Sequence, residues 1–286
     1  MNGQDSLKTP ILVLGATSLI GEFLLDRLRA LDLAPIAVSR RPPAADLCWL
    51  DADLSDPDLV EGLPPVATVF SLSPIWLLPQ ALPALKARGM DRLVAFSSTS
   101  RFSKTASPVA AERAVALALA DAEAAVAAWC DDNGVAWTIL RPTLIYAEGR
   151  DGNVSRLAAL IRRLRVLPLS GTGAGLRQPV HADDLAAGAI LAAGAALAEG
   201  RAYDLVGGET LTYRAMAERV FEGLGRRPWI VSLPPALFAL ALRLAAPLLP
   251  GATSAMGDRM AKDLTFDDAA ARHDFGWSPR DFHPRF

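Results

Sequence analysis

Gly15, Ser18 and Gly21, in the stretch PILVLGATSLIGEFLLDRL (10–28), are the first residues whose types and spacing suggest a chemistry. That chemistry is the holding of a phosphate. A glycine that ends an apolar strand permits a tight turn, and a second lets the next helix pack closely. The helix N-terminus then offers unpaired N–H groups and the positive end of its dipole to an anion. Ser18 stands where a third glycine would complete the pattern. A serine there costs little if φ is negative, and of order 1 kcal/mol or more if φ must be positive. Further on, VSRR puts Arg40 at the end of the second apolar run, where an acid would bond ribose hydroxyls. An arginine instead pairs with a 2′-phosphate, which favours NADP over NAD; a solvated strand-end arginine is the plainer alternative. In DADLSD, Asp53 can accept from an adenine amine and Leu54 can cover the ring, or the segment is a turn with a cap at Ser55 or Asp56.

These residues need elements to position them. ILVLG, PIAVSR, TVFSLS, RLVAFSST and VAWTILRP read as strands. LIGEFLLDRLRALD reads as a helix with Ile20, Leu24, Leu25 and Leu28 on one face, and AAERAVALALADAEAAVAAWCDDNG as a long helix closed by Gly134. Strands alternating with helices imply right-handed crossovers and a doubly wound parallel sheet, an α/β Rossmann-type fold. The expected division is a dinucleotide-binding domain over 1–145, with 176–205 returning to it, and a smaller substrate lobe over 146–175 and 206–286. The most apolar stretch, WIVSLPPALFALALRLAAPLLPG (229–251), is broken by Pro234, Pro235, Arg243 and Pro247, so a spanning helix is not expected. It reads as a buried or substrate-facing helix, or alternatively as a surface that meets lipid.

Composition narrows the function. With 51% hydrophobic and 21% charged residues the 286-residue chain is globular, and a net charge of −2 argues against a nucleic-acid binder that relies on a basic surface. Two cysteines without CxxC spacing argue against a disulfide framework or structural zinc, and three histidines without HxxxH or HxH spacing against a metal mechanism. The start, MNGQDSLKTP, lacks the apolar core of a signal peptide, so a cytoplasmic protein is expected.

The ordered motifs resemble the extended short-chain dehydrogenase/reductase superfamily, specifically its NAD-dependent epimerase/dehydratase family. Gly15, Ser18 and Gly21 match that family's GxxGxxG, Asp53-Leu54 its acidic-Leu adenine motif, FSSTS its strand-end serine motif, LRPTLIY its RPxxxYG region and RQPVHADDLA its [RF]xxVxDxA region. The resemblance runs from Ile11 to about Phe282. It implies a dinucleotide held by Gly15, Thr17, Ser18, Leu19, Ile20, Gly21, Ser39, Arg40, Asp53, Leu54, Ser73, Ser97, Arg141 and Pro142. It also implies Asn153 and Arg177 as substrate contacts, Arg177 toward a phosphate, and dimerisation through the long helices.

The family's catalytic Ser/Thr position falls on Thr99, with Ser97 and Ser98 beside it. Its Tyr and Lys are absent: counting back from Glu123 puts Val115 and Leu119 at those positions. Neither transfers a proton. Tyr146 is the best replacement, and Arg141 could provide the cation a tyrosine needs near neutral pH, or it only caps a helix or pairs with an acid. Three readings remain open. The first is an atypical NADP(H)-dependent oxidoreductase acting on a carbonyl or alcohol, with Thr99, Ser98 and Tyr146 or water at the reacting atoms and a small substrate, lipid-like or phosphorylated. The second is a non-catalytic NAD(P)-binding protein, and the third a sugar-nucleotide epimerase or dehydratase. Peripheral membrane contact through 229–251 is an added expectation of the first.

Overall fold

Short apolar runs that are buried on both faces build parallel sheets. The computed structural model describes residues 7–41, 48–56, 62–245, 257 and 260–286. In it the expected runs become β1 (Ile11–Leu14), β2 (Ile36–Ser39), β4 (Thr68–Ser71), β5 (Arg92–Phe96) and β6 (Ala136–Pro142), with β3 (Trp49–Asp51) between β2 and β4 in the chain. With the strand Arg201–Leu205 they form one seven-stranded sheet, ordered Arg201–Leu205, β6, β5, β4, β1, β2, β3, and every pairing is parallel. Two strands go beyond the expectation, β3 and Arg201–Leu205. Both are edge strands, one only three residues long and the other half polar, so no apolar run marks them. The chain winds outward from β1 through β2 and β3, then returns to β4 on the other side. The sheet's switch point therefore lies between β1 and β4, where doubly wound folds bind ligands beyond the strands' carboxyl ends.

The helix α1 (Leu19–Ala30) buries Ile20, Leu24, Leu25 and Leu28, the face its spacing predicts. It packs against the helix Ala182–Gly194, and Arg27 Nε lies 2.6 Å from Asp183 Oδ1 across that contact. The long helix Ala110–Asp132 sends Leu119, Val126 and Cys130 into the core beside Leu12, Leu14, Leu82 and Leu93, and Gly134 follows it with φ +62°. Burial pushes the Cys130 thiol up to about 12, so this cysteine is an inert core residue.

The chain divides into two units: 1–142, 182–205 and 267–278 form one; 143–181, 206–266 and 279–286 form the other. Residues 176–181 thus group with the second unit rather than with the sheet, because Leu176–Arg177 pairs with Leu211–Thr212 and Val180–His181 with Ile145–Tyr146. Residues 267–278 group with the first, where Trp277 closes on Gly188 so tightly that a Cβ there would lie 2.5 Å from the indole, and Phe275 packs edge-on to Tyr203. The second unit has its own core of Leu157, Ile161, Leu169, Val220, Phe221 and Phe282.

Of the apolar stretch 229–251, residues 246–251 lie outside the described residues. The described part is a strand, Ile230–Leu233, and a helix, Pro235–Ala245. The expectation of a buried helix is corrected here: Leu237 and Leu240 are exposed, and Phe238 is the anchor that enters the core. No described helix is long and apolar enough to cross a membrane.

Candidate functional site

β1 ends at the sheet's switch point, and Gly15 follows it with φ +71°. A Cβ there would meet Ser73 Oγ at 2.8 Å and Ser73 N at 2.9 Å, so the loop after β4 closes on the Gly15 backbone. Gly21 has even less room, since a Cβ would lie 2.4 Å from the carbonyl oxygen of Ala16. Both glycines are therefore fixed by sterics. Ser18 is not a defect in this loop. Its φ is −71°, and its Oγ accepts from Gly21 N at 3.2 Å as the N-cap of α1. The serine thus takes up one of the helix's unpaired amides and keeps its own proton to donate. Ile20 turns its side chain into the core, while Leu19 is half-buried and Thr17 is exposed at the surface of the loop.

Around the loop, Thr17 Oγ1 lies 3.0 Å from Ser39 Oγ, which also accepts from Arg41 N. Arg40 is exposed at the end of β2. Asp53 accepts from Ser55 through both side chain (2.6 Å) and backbone (3.0 Å). Those two bonds, with a smaller attraction from Arg40, hold its carboxyl below the usual aspartate range. The segment therefore forms a turn, a helix capped at Ser55 or Asp56 lying outside the described residues, and Leu54 lies in the core with Leu12, Leu14 and Val38.

The hydroxyls after β5 divide their tasks. Thr99 is 6% exposed and donates its proton to the carbonyl of Pro142 at 3.0 Å. Ser97 donates to Glu123 Oε1 at 2.5 Å. Ser98 is half-buried; its Oγ accepts from Ser100 N at 3.1 Å, which leaves its proton for another acceptor. Glu123, 2% exposed, is the hub of this corner. Its Oε2 accepts from Arg141 Nε (2.9 Å) and Nη2 (2.6 Å) and from Arg101 Nη1. The Arg101 and Arg141 guanidinium carbons lie 5.1 and 5.3 Å from the centre of the Phe102 ring. Asp204, on the neighbouring strand, lies 3.6 Å from Arg141 Nη1, and burial pushes its carboxyl up despite that partner. Arg141 thus pairs with an acid, and Arg101 and Asp204, which the sequence motifs did not single out, share its corner. A cation directly after a serine motif was the available signal for Arg101; Asp204 lies on a strand that no pattern marks.

At the positions of the missing pair, Val115 is 37% exposed and Leu119 is packed in the core. Tyr203 donates to Asp274 at 2.7 Å, and burial together with that bond pushes its hydroxyl well above its ordinary value. In the second unit, Tyr146 is 2% exposed, with its ring edge-on to His181 and Phe282 at 5.0 and 4.9 Å. His181 Nε2 lies 3.2 Å from Glu148 Oε2. Burial pushes Glu148 up, but hydrogen bonds from His181, its own backbone and Arg285 outweigh it and hold the carboxyl below its ordinary value. Arg177 is buried, donating to the carbonyls of Leu176 and Lys262 and stacked over Tyr213. Asn153 is exposed at the N-cap of the helix Val154–Leu164 and donates to the carbonyl of Ile145. Thr99 and Ser98 belong to the first unit, Tyr146, Asn153 and Arg177 to the second. Among the described residues no group of histidines, cysteines and acids could hold a metal ion.

Residues 79–205 match the NAD dependent epimerase/dehydratase family. The match covers less than half of this chain. By sequence, no curated protein matches it. Among solved structures, MoeE5 in complex with UDP-glucose and NAD is 22% identical, with a TM-score of 0.72 over 96% of this chain and 94% of that one. UDP-glucuronic acid 4-epimerase from Bacillus cereus, in complex with UDP-glucuronic acid and NAD, is 15% identical, with a TM-score of 0.71 over 95% and 94%. The NADPH-dependent quinone oxidoreductase QOR2 from Escherichia coli is 22% identical, with a TM-score of 0.69 over 96% of both chains. At these identities the shared property is the fold.

Proposed function

We propose that this protein is an NADP(H)-dependent oxidoreductase that reduces a carbonyl, or oxidises the corresponding alcohol, without a tyrosine–lysine pair. The observation that carries the reading is the loop Gly15–Gly21. Its two glycines sit where nothing larger fits, and Ser18 has a backbone that costs nothing. Such a loop at a switch point suits a pyrophosphate. Gly15, Thr17, Ser18, Leu19, Ile20 and Gly21 would hold it, largely through backbone amides. Ser39 and Arg40 would meet the adenosine ribose, with Arg40 toward a 2′-phosphate; Asp53 and Leu54 would meet the adenine, and Ser73, Ser97, Arg141 and Pro142 would border the nicotinamide end. When bound, the dinucleotide supplies or accepts a hydride.

The chain's own part is to polarise the substrate oxygen. Ser98 is better suited to this than Thr99, whose proton is already given to Pro142. The proton that completes reduction comes from Tyr146 or from water, and the burial of Tyr146 weighs toward water. Asn153 and Arg177 are the proposed substrate contacts; the carbonyls that already engage Arg177 make it the weaker of the two. Quinones are a sensible first substrate class, since QOR2 shares the fold. UDP-sugars test the epimerase reading. A second reading, dinucleotide binding without turnover, is favoured by one observation: Leu119 is a core residue, so no cation has replaced the lysine at that position.

The test is NADPH oxidation against a panel of quinones, aldehydes and UDP-sugars, with Ser98→Ala beside the wild type. Ser98→Ala is expected to lower kcat on the order of 100-fold while the NADPH dissociation constant stays within about twofold. Unchanged turnover, or an equal loss of cofactor affinity, would remove Ser98 from the chemistry. No turnover with any of the panel would favour the second reading.

A further inference from the structure

One face of the second unit has no part in the reading above. The helix Val154–Leu164 ends with Arg162 and Arg163 in its last turn, and Arg165 follows in the left-handed region at φ +62°. All three arginines are exposed, and so is Leu164. Arg226 Nη1 donates to the carbonyls of Ile161 (3.4 Å) and Arg162 (3.3 Å), which brings the Arg226-Arg227 pair to the end of that helix. Leu167 N then donates to the carbonyl of Trp229 at 2.9 Å, so Trp229 is tied beside the same turn. Its indole is 63% exposed. The strand that follows, Ile230–Leu233, pairs with Leu167–Ser170, and the helix Pro235–Ala245 packs on Leu167–Ser170 with Leu237 and Leu240 exposed.

Five exposed or half-exposed arginines thus lie within a few residues of an exposed tryptophan and leucine, Arg162 with its guanidinium 5.6 Å from the centre of the Phe286 ring, and a helix that is apolar nearly all round, anchored by Phe238, follows in the chain. The sequence reinforces the pattern: residues 223–257 contain three arginines and no Asp or Glu. Glu222 borders the cluster as its nearest acid in the chain. An exposed apolar helix face needs a cover. A second copy of the same face would bring the arginines of both copies together, which disfavours self-association. A nucleic acid would match the arginines but leave Leu164, Leu237 and Leu240 in water. An anionic bilayer surface satisfies both features, because indole and leucine side chains enter the headgroup boundary while guanidinium groups meet phosphate.

We infer that the face formed by Arg162–Arg165, Arg226–Trp229 and the helix Pro235–Ala245 docks on anionic phospholipid membranes. The inference is independent of whether a dinucleotide binds. The experiment is co-sedimentation of the full chain with phosphatidylcholine vesicles, with and without phosphatidylglycerol, at low and high salt. The wild type is expected to bind the anionic vesicles at least about tenfold more tightly than the neutral ones, and to be released by salt. Arg163→Gln combined with Arg227→Gln should weaken binding about tenfold, and Trp229→Ser about as much, with Tm unchanged in both. Failure to sediment with anionic vesicles overturns the inference, as does binding that these substitutions leave intact. So does a dimer in solution that Leu237→Ser with Leu240→Ser dissociates, because the face would then be covered by a second copy.

Discussion

Gly15→Ala is expected to lower NADPH affinity about 100-fold or more, while Ser18→Gly changes it by less than about threefold. The contrast follows from two backbone angles. Gly15 sits at φ +71°, and its missing side chain is the space into which the Ser73 backbone and hydroxyl fit at 2.8–2.9 Å. A methyl group there is strained by the dihedral and must also push the loop after β4 away from the phosphate position. The strain alone costs roughly 1–2 kcal/mol. Displacement of the loop adds to it, because the amides that would meet the pyrophosphate move with it. Ser18, at φ −71°, is in a conformation that any residue adopts, and its hydroxyl caps α1. Glycine there gives up that cap at a cost of a few tenths of a kcal/mol and frees nothing the cofactor needs. Equilibrium titration of both variants checks this. A tenfold gain from Ser18→Gly would show that the serine obstructs the site.

Glu123→Ala is the substitution expected to cost the fold most, roughly 3–5 kcal/mol, the usual result of removing one partner from a buried ion pair. Glu123 holds two guanidinium groups and the Ser97 hydroxyl in a corner where it is itself 2% exposed. Without it Arg101 and Arg141 face each other with Asp204 as the remaining acid, and burial already disfavours the Asp204 charge. Thermal unfolding should register a fall in Tm on the order of 10 °C. Adding Arg101→Met to Glu123→Ala should restore part of the loss, because one of the uncompensated charges goes with it. If the two changes simply added, the cost would come from lost packing and not from the unpaired cations.

Much of this was legible in the sequence wherever a residue's type leaves few alternatives. Gly15 and Gly21 announced the turn and the close helix, and the spacing of Ile20, Leu24, Leu25 and Leu28 gave the buried face of α1. The sheet was legible where its strands are buried on both faces, and illegible at its two edges, where β3 and Arg201–Leu205 lack an apolar run. The site was legible in its elements more than in its hydrogen bonds. Nothing in FSSTS says that Thr99 spends its proton on Pro142 while Ser98 keeps one. Arg101 escaped notice because its partner, Glu123, is brought to it only by the packing of the helix Ala110–Asp132. The run after Trp229 allowed a buried helix or an exposed apolar surface, and hydrophobicity alone does not choose between them: Leu237 and Leu240 stand exposed while Phe238 enters the core.

On the proposed reading, the loop Gly15–Gly21 and Arg40 form a working NADP(H) site. The most direct measurement is a titration of the purified protein with NADPH and with NADH at fixed salt, followed by nicotinamide fluorescence. NADPH is expected to bind with a dissociation constant on the order of micromolar and NADH about tenfold or more weaker, the preference falling to near unity in Arg40→Ala. Equal binding of both dinucleotides would keep the pyrophosphate site and remove Arg40 as its 2′-phosphate reader. Binding of neither would contradict the account, since the loop would then be a fold relic and the oxidoreductase reading would go with it.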